Sequence, residues 1–438
     1  MVAWRLPRYG TYRDIMSDIP DTLEGHQNAV TVAKPALVFL CQRTPYPPIK
    51  GERITSFNLL RYLVQHYRVF VGTFIDDPND AADIPVLRAM VEGLYVGEVH
   101  KPWAYLQALP RWLAGDPISF AIFRDRKLGH WLDAIDAREK PVAIVTHSSN
   151  ISAYAVDKFS RSGAAPRRIL HFADVDSEKF VAYAERSRGI KRWIFAEEAR
   201  RVRREEQRLT DGADCVALVS DQEADLLRSI LVRHRERVVT LPNGVDAELF
   251  CPSRYPEAPF AGQGATFIFT GAMDYPPNIE AVTWFAREVF PAIRAELPNA
   301  LFYIVGAKPT QEVKRLGDNQ GVVVTGRVES VAAYLAHAEV AVAPLRIARG
   351  IQNKVLEAMA MAMPVVVSPG ALTGIAATPG EHLVCADRPE EWVKACLGLI
   401  RGHDAAKNMG QAALLLVQER YGWDAQFARL SRLLEASP

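Results

Sequence analysis

In the stretch RGIQNKVLEAMAMAMPVVV, residues 349–367, Lys354 and Glu357 stand three residues apart inside an otherwise apolar run. Arg346 and Arg349 lie just upstream, and Gly350 and Ile351 lead into the pair. The run VAVAPL (340–345) reads as a strand, RIARGIQ as a loop and NKVLEAMAMA as a helix. A helix that starts there turns its free amide protons and the positive end of its dipole towards whatever lies beyond the strand. Amide donors combined with ammonium and guanidinium charge are what a diphosphate requires. Glu357 is one turn further on, on roughly the same face as Lys354. A carboxylate there repels phosphate but accepts readily from the two hydroxyls of a ribose. The bland alternative is an exposed Lys–Glu helix pair, which contributes little. The position at a strand edge brings the two readings level.

The elements that must hold these groups follow from hydrophobic periodicity. ALVFLCQ (36–42), RVFVGTF (68–74), PVAIVTHSS (141–149), RRILHFADVD (167–176) and CVALVS (215–220) are apolar nearly throughout and alternate with helical-period segments such as ITSFNLLRYLVQHY. A second series comprises ATFIFTGAM (265–273), ALFYIVGA (300–307), GVVVTG (321–326), VAVAPL (340–345) and MPVVVS (363–368). Continuously apolar strands imply a sheet covered on both faces, and β-α-β alternation implies parallel, doubly wound sheets. The stretch 241–264 is rich in Pro and Gly, the composition of a linker. The expected layout is an irregular extension over 1–33, an N-terminal α/β domain over 34–240, a C-terminal one over 241–420, and a final helix over 421–438 packing back on the first domain. Ligands of such sheets sit beyond the carboxyl ends of the strands.

Other chemistries find little support. There is no GxxxxGK[ST], HExxH or GxSxG motif, and GQG at 262–264 precedes a strand instead of following one. The net charge of +1 gives no reason to expect nucleic acid as a partner. Five cysteines, at 41, 215, 251, 385 and 396, never form CxxC and read as reduced thiols of a cytoplasmic protein. No signal-peptide pattern opens the chain, and no apolar run approaches the ~20 residues that cross a bilayer.

NKVLEAMAMAMPVVVS resembles the signature helix of the retaining nucleotide-sugar glycosyltransferases of the GT-B type, the GT4-like "glycosyl transferases group 1". LPNGVDAELFCP (241–252), FTGAMDYPPNIEAVTWFAREVFPAI and VTGRVESVAAYLAHAEVAVAPL fit the same family. RTPYPPIKGERI and FADVDSEKF resemble, more narrowly, the sugar transferases of exosortase-linked exopolysaccharide loci. The resemblance covers residues 35 to about 430. It implies two Rossmann-like doubly wound domains facing a central cleft, with a nucleotide-sugar donor on the C-terminal domain and a glycan or lipid-linked acceptor on the N-terminal one. It also implies no metal and no other cofactor.

By position, the resemblance places Lys354, with Arg349 or Arg346, on the diphosphate and Glu357 on the ribose, so that Lys354, Arg349 and Glu357 carry the catalytic role. Gly326, Arg327 and Val328 would border the base, while Gly271 and Ala272 would let backbone approach the phosphates. Gly51, Glu52 and Arg53 are expected in the loop after the first strand, on the acceptor or sugar side with His147 and Asp174. Three departures stand out. Arg349 occupies the place of a family glutamate that faces the sugar. Ala362 replaces the glycine before PVV; if that site is left-handed, Ala costs about 1 kcal/mol, so a modified helix end is expected. AMDYPPN replaces an Arg/Lys pair after Gly271, which shifts phosphate binding onto the 346–354 loop.

Three weaker signals remain open. Asp174 and Asp176 could hold a cation, but the architecture that the chain resembles uses protein cations instead; a sugar contact by Asp174 or a helix cap by Asp176 fits better. His147 ends a strand and is equally a ligand to a sugar or acceptor hydroxyl or a packed residue, whereas His171, within its strand, reads as packed. Trp103, Trp112 and Trp131 are interleaved with Lys101, Arg111, Arg124, Arg126 and Lys127, and residues 186–208 hold nine Lys/Arg against four Glu. That mixture suits either the surface of an anionic membrane or a solvated helix with its Trp in the core. A nucleotide-sugar epimerase or hydrolase on the same fold, or an inactive nucleotide-binding homologue, are the rival functions.

Overall fold

The computed structural model describes residues 34–48, 51–76, 78–99, 101–159, 165–260, 264–346 and 351–435. It divides into two compact units, one running to Leu241 and resuming at Leu430, the other spanning Pro242–Arg429.

The first unit holds a seven-stranded parallel sheet, in the order β3-β2-β1-β4-β5-β6-β7. Its strands are β1 (Ala36–Cys41), β2 (Arg68–Ile75), β3 (Gly93–Glu98), β4 (Ala143–His147), β5 (Arg167–Ala173), β6 (Cys215–Leu218) and β7 (Val238–Thr240). The second unit holds a six-stranded parallel sheet, β10-β9-β8-β11-β12-β13. There β8 is Thr266–Thr270, β9 Leu301–Val305, β10 Val322–Gly326, β11 Val340–Ala343, β12 Val365–Val367 and β13 Val384–Cys385. Both sheets reverse strand order next to their first strand, between β1 and β4 and between β8 and β11. Such switch points open a crevice at the carboxyl edge.

The helices that matter below are α1 (Gly51–His66), α2 (Lys101–Leu113), α3 (Ser149–Asp157), α4 (Asp176–Glu185), α5 (Ile190–Gly212), α6 (Pro276–Trp284), α7 (Asn353–Ala360), α8 (His403–Arg420) and α9 (Trp423–Glu435). Central strands are buried along their whole length, as in β1, β4, β8 and β11. Helices cover both faces, giving one core cluster on each side of the first sheet. A single large cluster fills the second unit. Leu430 of α9 is buried in one of the first unit's clusters, with Leu433 and Leu434 packed against it.

Three details depart from the sequence-based expectations. Gly51, Glu52 and Arg53 are not a loop but the first turn of α1, where the acid of Glu52 suits the positive end of the dipole. Next, β5 stops at Ala173, whose φ is +70°, and a helix opens at Asp176, so Asp174 and Asp176 lie beyond the strand that was expected to run to 176. Finally, α7 keeps an ordinary end. Met363 N–H donates to Ala358 C=O at 3.2 Å and Ala362 N–H to Met359 C=O at 3.0 Å, the Schellman pattern, with Ala362 left-handed at φ +53°. The helix is not modified; the alanine takes up the strain. Gly410 of α8 lets the neighbouring backbone come close, since a Cβ there would sit 2.0 Å from the Ala362 carbonyl oxygen. Ala362→Gly is therefore expected to stabilise the protein by about 1 kcal/mol, read as a higher urea midpoint at unchanged slope. A lower midpoint would show that the left-handed alanine is not strained.

Candidate active site

Three adjacent strands of the second sheet end in glycine at the carboxyl edge. Gly271 follows β8, Gly306 follows β9 and Gly326 closes β10. They are stitched edge to edge: Gly271 N–H donates to Val305 C=O at 3.0 Å, and Gly306 N–H to Gly326 C=O at 3.1 Å. A Cβ on Gly306 would lie 1.7 Å from the Gly271 carbonyl oxygen, and one on Gly271 would lie 2.7 Å from Asn278 Nδ2 and 3.2 Å from Lys354 Nζ. The backbone at these two strand ends is thus as close as side-chain-free residues permit. At Gly326 the space is open, and its φ of +70° is what favours glycine.

Lys354 reaches this edge from the first turn of α7. Gln352, at its cap position, makes no side-chain capping bond to that turn. Its Nζ donates to Asn278 Oδ1 at 2.6 Å and lies 4.3 Å from the ring centroid of Phe269 in β8. Asn278 in turn donates from Nδ2 to Ala272 C=O at 2.9 Å, so one buried amide ties the lysine to the backbone after β8. Burial holds Lys354 below the usual lysine range, at about 8, although the Glu357 carboxylate pulls the other way. Burial also pushes Glu357 up to about 7, with Lys354 opposing. Each is the other's electrostatic partner, yet the lysine's hydrogen bond goes to Asn278. An ammonium on a ring face, facing side-chain-free strand ends, can meet an anion without first breaking a salt bridge.

Arg346 is exposed, and its backbone is pinned from below: Ser368 Oγ donates to Leu345 C=O at 2.6 Å, and Gly370 leaves room for the Leu345 and Arg346 carbonyls. Arg327 is exposed, Val328 packs against the core, and Ile351 lies beside Gly374. Arg349 and Gly350 lie outside the described residues. Asn278 and Gly306 escaped the sequence reading. Gly306 had the same signal as Gly271, a glycine directly after an apolar strand; Asn278 had only its place in YPPN, after prolines that start α6.

The first sheet's carboxyl edge looks different. Arg53 is held by a bidentate pair with Asp80, at 2.9 and 2.5 Å, and Glu52 pairs with Arg43 at 2.5 Å. Asp174 and Asp176 both meet Lys179 Nζ, at 2.9 and 3.0 Å, and Asp176 also accepts from Ser149 Oγ. A lysine occupies the space between the two carboxylates, where a divalent cation would have to sit. Among the described residues no cluster of three or more His, Cys, Asp or Glu is placed to hold a metal ion.

His147, at the end of β4, is buried and stacked on His171, with their Nδ1 atoms 3.0 Å apart. Burial holds His147 down at about 4, with a backbone hydrogen bond at Glu52 opposing. His171 is at about 3, from burial first and then His147. The folded state therefore binds fewer protons than the unfolded one between those values and about 6.5, and stability contributed by the neutral pair is lost as pH falls through that window. The imidazole ¹H resonances of His147 and His171 should show no titration above about pH 5; a midpoint near 6.5 for either would contradict their burial as neutral rings.

Residues 51–244 match the glycosyl transferase 4-like domain, and residues 264–402 match the glycosyl transferases group 1 family. The chain belongs to the glycosyltransferases. Between them the two matches span most of the chain, one on each unit, and this glycosyltransferase has the two-domain α/β arrangement of the GT-B fold. Sucrose-phosphate synthase from Thermosynechococcus elongatus superposes with a TM-score of 0.64 at 17% identity, over 91% of this chain and 98% of that one. HepE (Alr3699) of Anabaena, solved with UDP and glucose, gives 0.61 at 14% identity, over 91% and 99%. WaaG, a glycosyltransferase of lipopolysaccharide biosynthesis, gives 0.59 at 14%, over 91% and 100%. No curated protein matches the sequence of this glycosyltransferase.

Proposed function

We propose that this glycosyltransferase takes a sugar from a nucleoside-diphosphate donor and passes it, with retention, to a glycan or lipid-linked acceptor in the synthesis of exopolysaccharide or another cell-surface glycan. The observation that carries the donor assignment is Lys354, held by Asn278 over Phe269 and facing strand ends with no side chains. In this reading Lys354, Arg349 or Arg346 and the open first turn of α7 receive the diphosphate. Glu357 accepts from the ribose, and Gly326, Arg327 and Val328 border the base. Support comes from the Anabaena neighbour, which was solved with UDP and with UDP-glucose.

The bond from the sugar's anomeric carbon to the diphosphate oxygen breaks as the bond to the acceptor oxygen forms on the same face. The acceptor proton passes to the departing phosphate. Charge that grows on the leaving diphosphate is met by Lys354 and the helix dipole, and that difference between ground and transition state is what accelerates the step. Protein cations supply the balancing charge here, so activity should survive a chelator.

A thermal-shift screen of UDP, GDP, ADP and dTDP tests the donor site, since a ligand at ~100 Kd stabilises by roughly 2.7 kcal/mol. The pH dependence of binding is sharper. Lys354 loses its proton near pH 8 in the free protein, and a bound diphosphate should restore it. Affinity should fall about tenfold per pH unit above 8, and calorimetry in buffers of different ionisation enthalpy should show proton uptake. An affinity flat to pH 9.5 would remove Lys354 from the diphosphate. Arg349, standing where relatives carry an acid, favours a second reading of an inactive nucleotide-binding protein; product analysis that finds nucleotide binding but no transferred, released or isomerised sugar would favour it.

A further inference from the structure

The fold sorts those tryptophans and cations whose side chains are described; Trp103 and Lys101 lie outside them. Trp131 packs against the first unit's core, its ring 5.9 Å from Tyr95. Most cations of α5 are engaged: Arg200 and Arg201 on Glu197, Arg203 on Glu178, Arg208 on Glu205 and Asp157. A different set of side chains stays on the surface. On α2, Leu106, Leu109 and Leu113 are 62, 46 and 71% exposed; on the first turns of α5, Ile190, Trp193 and Ile194 are 74, 58 and 41% exposed. Spacings of three and four residues put each trio on one side of its helix.

The two trios are neighbours. Trp193 meets the Trp112 ring edge-on at 6.2 Å. Arg201 lies 4.7 Å over the Trp112 ring and donates to the Trp112 and Asp116 carbonyls, fixing the end of α2 against α5. The carboxylate of Glu198 also accepts from the amides of Ile118 and Ser119 at 3.0 and 2.9 Å. Beside this ridge, Arg186, Arg188, Lys191 and Arg192 are all exposed, and none pairs with an acid among the described residues.

Contiguous large apolar side chains of this kind are unusual on a solvated surface. Fringed by four cations, they match the boundary of a negatively charged bilayer, where aliphatic and indole groups enter the headgroup layer and Arg and Lys meet lipid anions. We propose that this face, formed by α2 and the start of α5, docks on anionic lipid. A second copy of the same face would bring eight uncompensated cations together, which opposes self-association. No described helix is long and apolar enough to cross a membrane, so the contact is interfacial.

The full chain should float with phosphatidylcholine vesicles that contain phosphatidylglycerol, fail to float with phosphatidylcholine alone, and be released by salt. Replacing Arg186, Arg188, Lys191 and Arg192 together by Ser should weaken binding several hundredfold, at roughly fivefold per cation. A second variant, Leu113→Ser with Ile190→Ser and Trp193→Ser, should also lose binding while keeping its melting temperature, because these side chains are exposed in the free protein. Three results would overturn the proposal: no flotation with either vesicle, equal flotation with both, or a wild-type dimer that the apolar variant dissolves.

Discussion

Lys354→Met should abolish most sugar transfer while leaving the protein about as stable as before. The methionine keeps the apolar stem over Phe269 and removes only the charge and its donor. Loss of one preorganised charge facing a leaving diphosphate costs on the order of 10²–10³ in turnover. On the stability side, two effects oppose. Asn278 Oδ1 loses its 2.6 Å partner, which costs about 1–3 kcal/mol for a buried acceptor. Against that, a lysine held down at about 8 is being charged in a place that disfavours it, a burden on the order of 3 kcal/mol at neutral pH. The two nearly offset, so the variant should be as stable as the wild type or more stable by up to about 2 kcal/mol. Initial rates and urea midpoints on the same preparation separate the outcomes: full activity removes Lys354 from the chemistry, while loss of both activity and fold makes it a structural residue.

Gly306→Ala should be the most destabilising single-methyl change in the second unit. The added Cβ would fall 1.7 Å from the Gly271 carbonyl oxygen and 2.7 Å from its carbonyl carbon, both backbone atoms with no freedom to rotate away. Strand ends β8 and β9 would have to part, which breaks the hydrogen bond that joins Gly271 to Val305. Overpacking of this kind costs about 1–3 kcal/mol before the lost bond adds about 1 more, so about 3 kcal/mol is expected. Because Lys354 and Asn278 lie against Gly271, nucleotide affinity should fall with it. Gly326→Ala is the control: nothing lies within 4 Å of its Cβ, and only its φ of +70° resists, at roughly 1–2 kcal/mol. Equal midpoints for the two variants would mean that the strand ends are not as tightly apposed as described.

The parts of the fold that could be read from residues are those where one force dominates. Central strands such as β1 and β8 announce themselves because both faces are covered, leaving no polar alternation. Strands β3, β7 and β13 carried no such run and were missed; all three lie at sheet edges, two of them only three and two residues long, where partial exposure dilutes the pattern. The same holds in the site. Lys354 and Glu357 were visible because charges in an apolar helix need a reason. Asn278 was not, because its importance comes from where α6 places it against a lysine 76 positions away. Asp174 and Asp176 were placed in a strand for want of one local cue: a left-handed residue, Ala173, ends it, and both acids meet Lys179 beyond that end. Ala362 shows the reverse, a left-handed position anticipated as a problem and adopted all the same.

The row of glycines at the ends of β8, β9 and β10 also acts as a ruler. Neighbouring strands are spaced ~4.8 Å apart, so the three bare ends make a shelf roughly 10 Å wide. Lysine stands at one side of that width and the outermost strand at the other. A molecule gripped by its charge at the β8 end would have to extend about two strand spacings to cover the shelf, and shorter anions such as free phosphate would leave its far part bare.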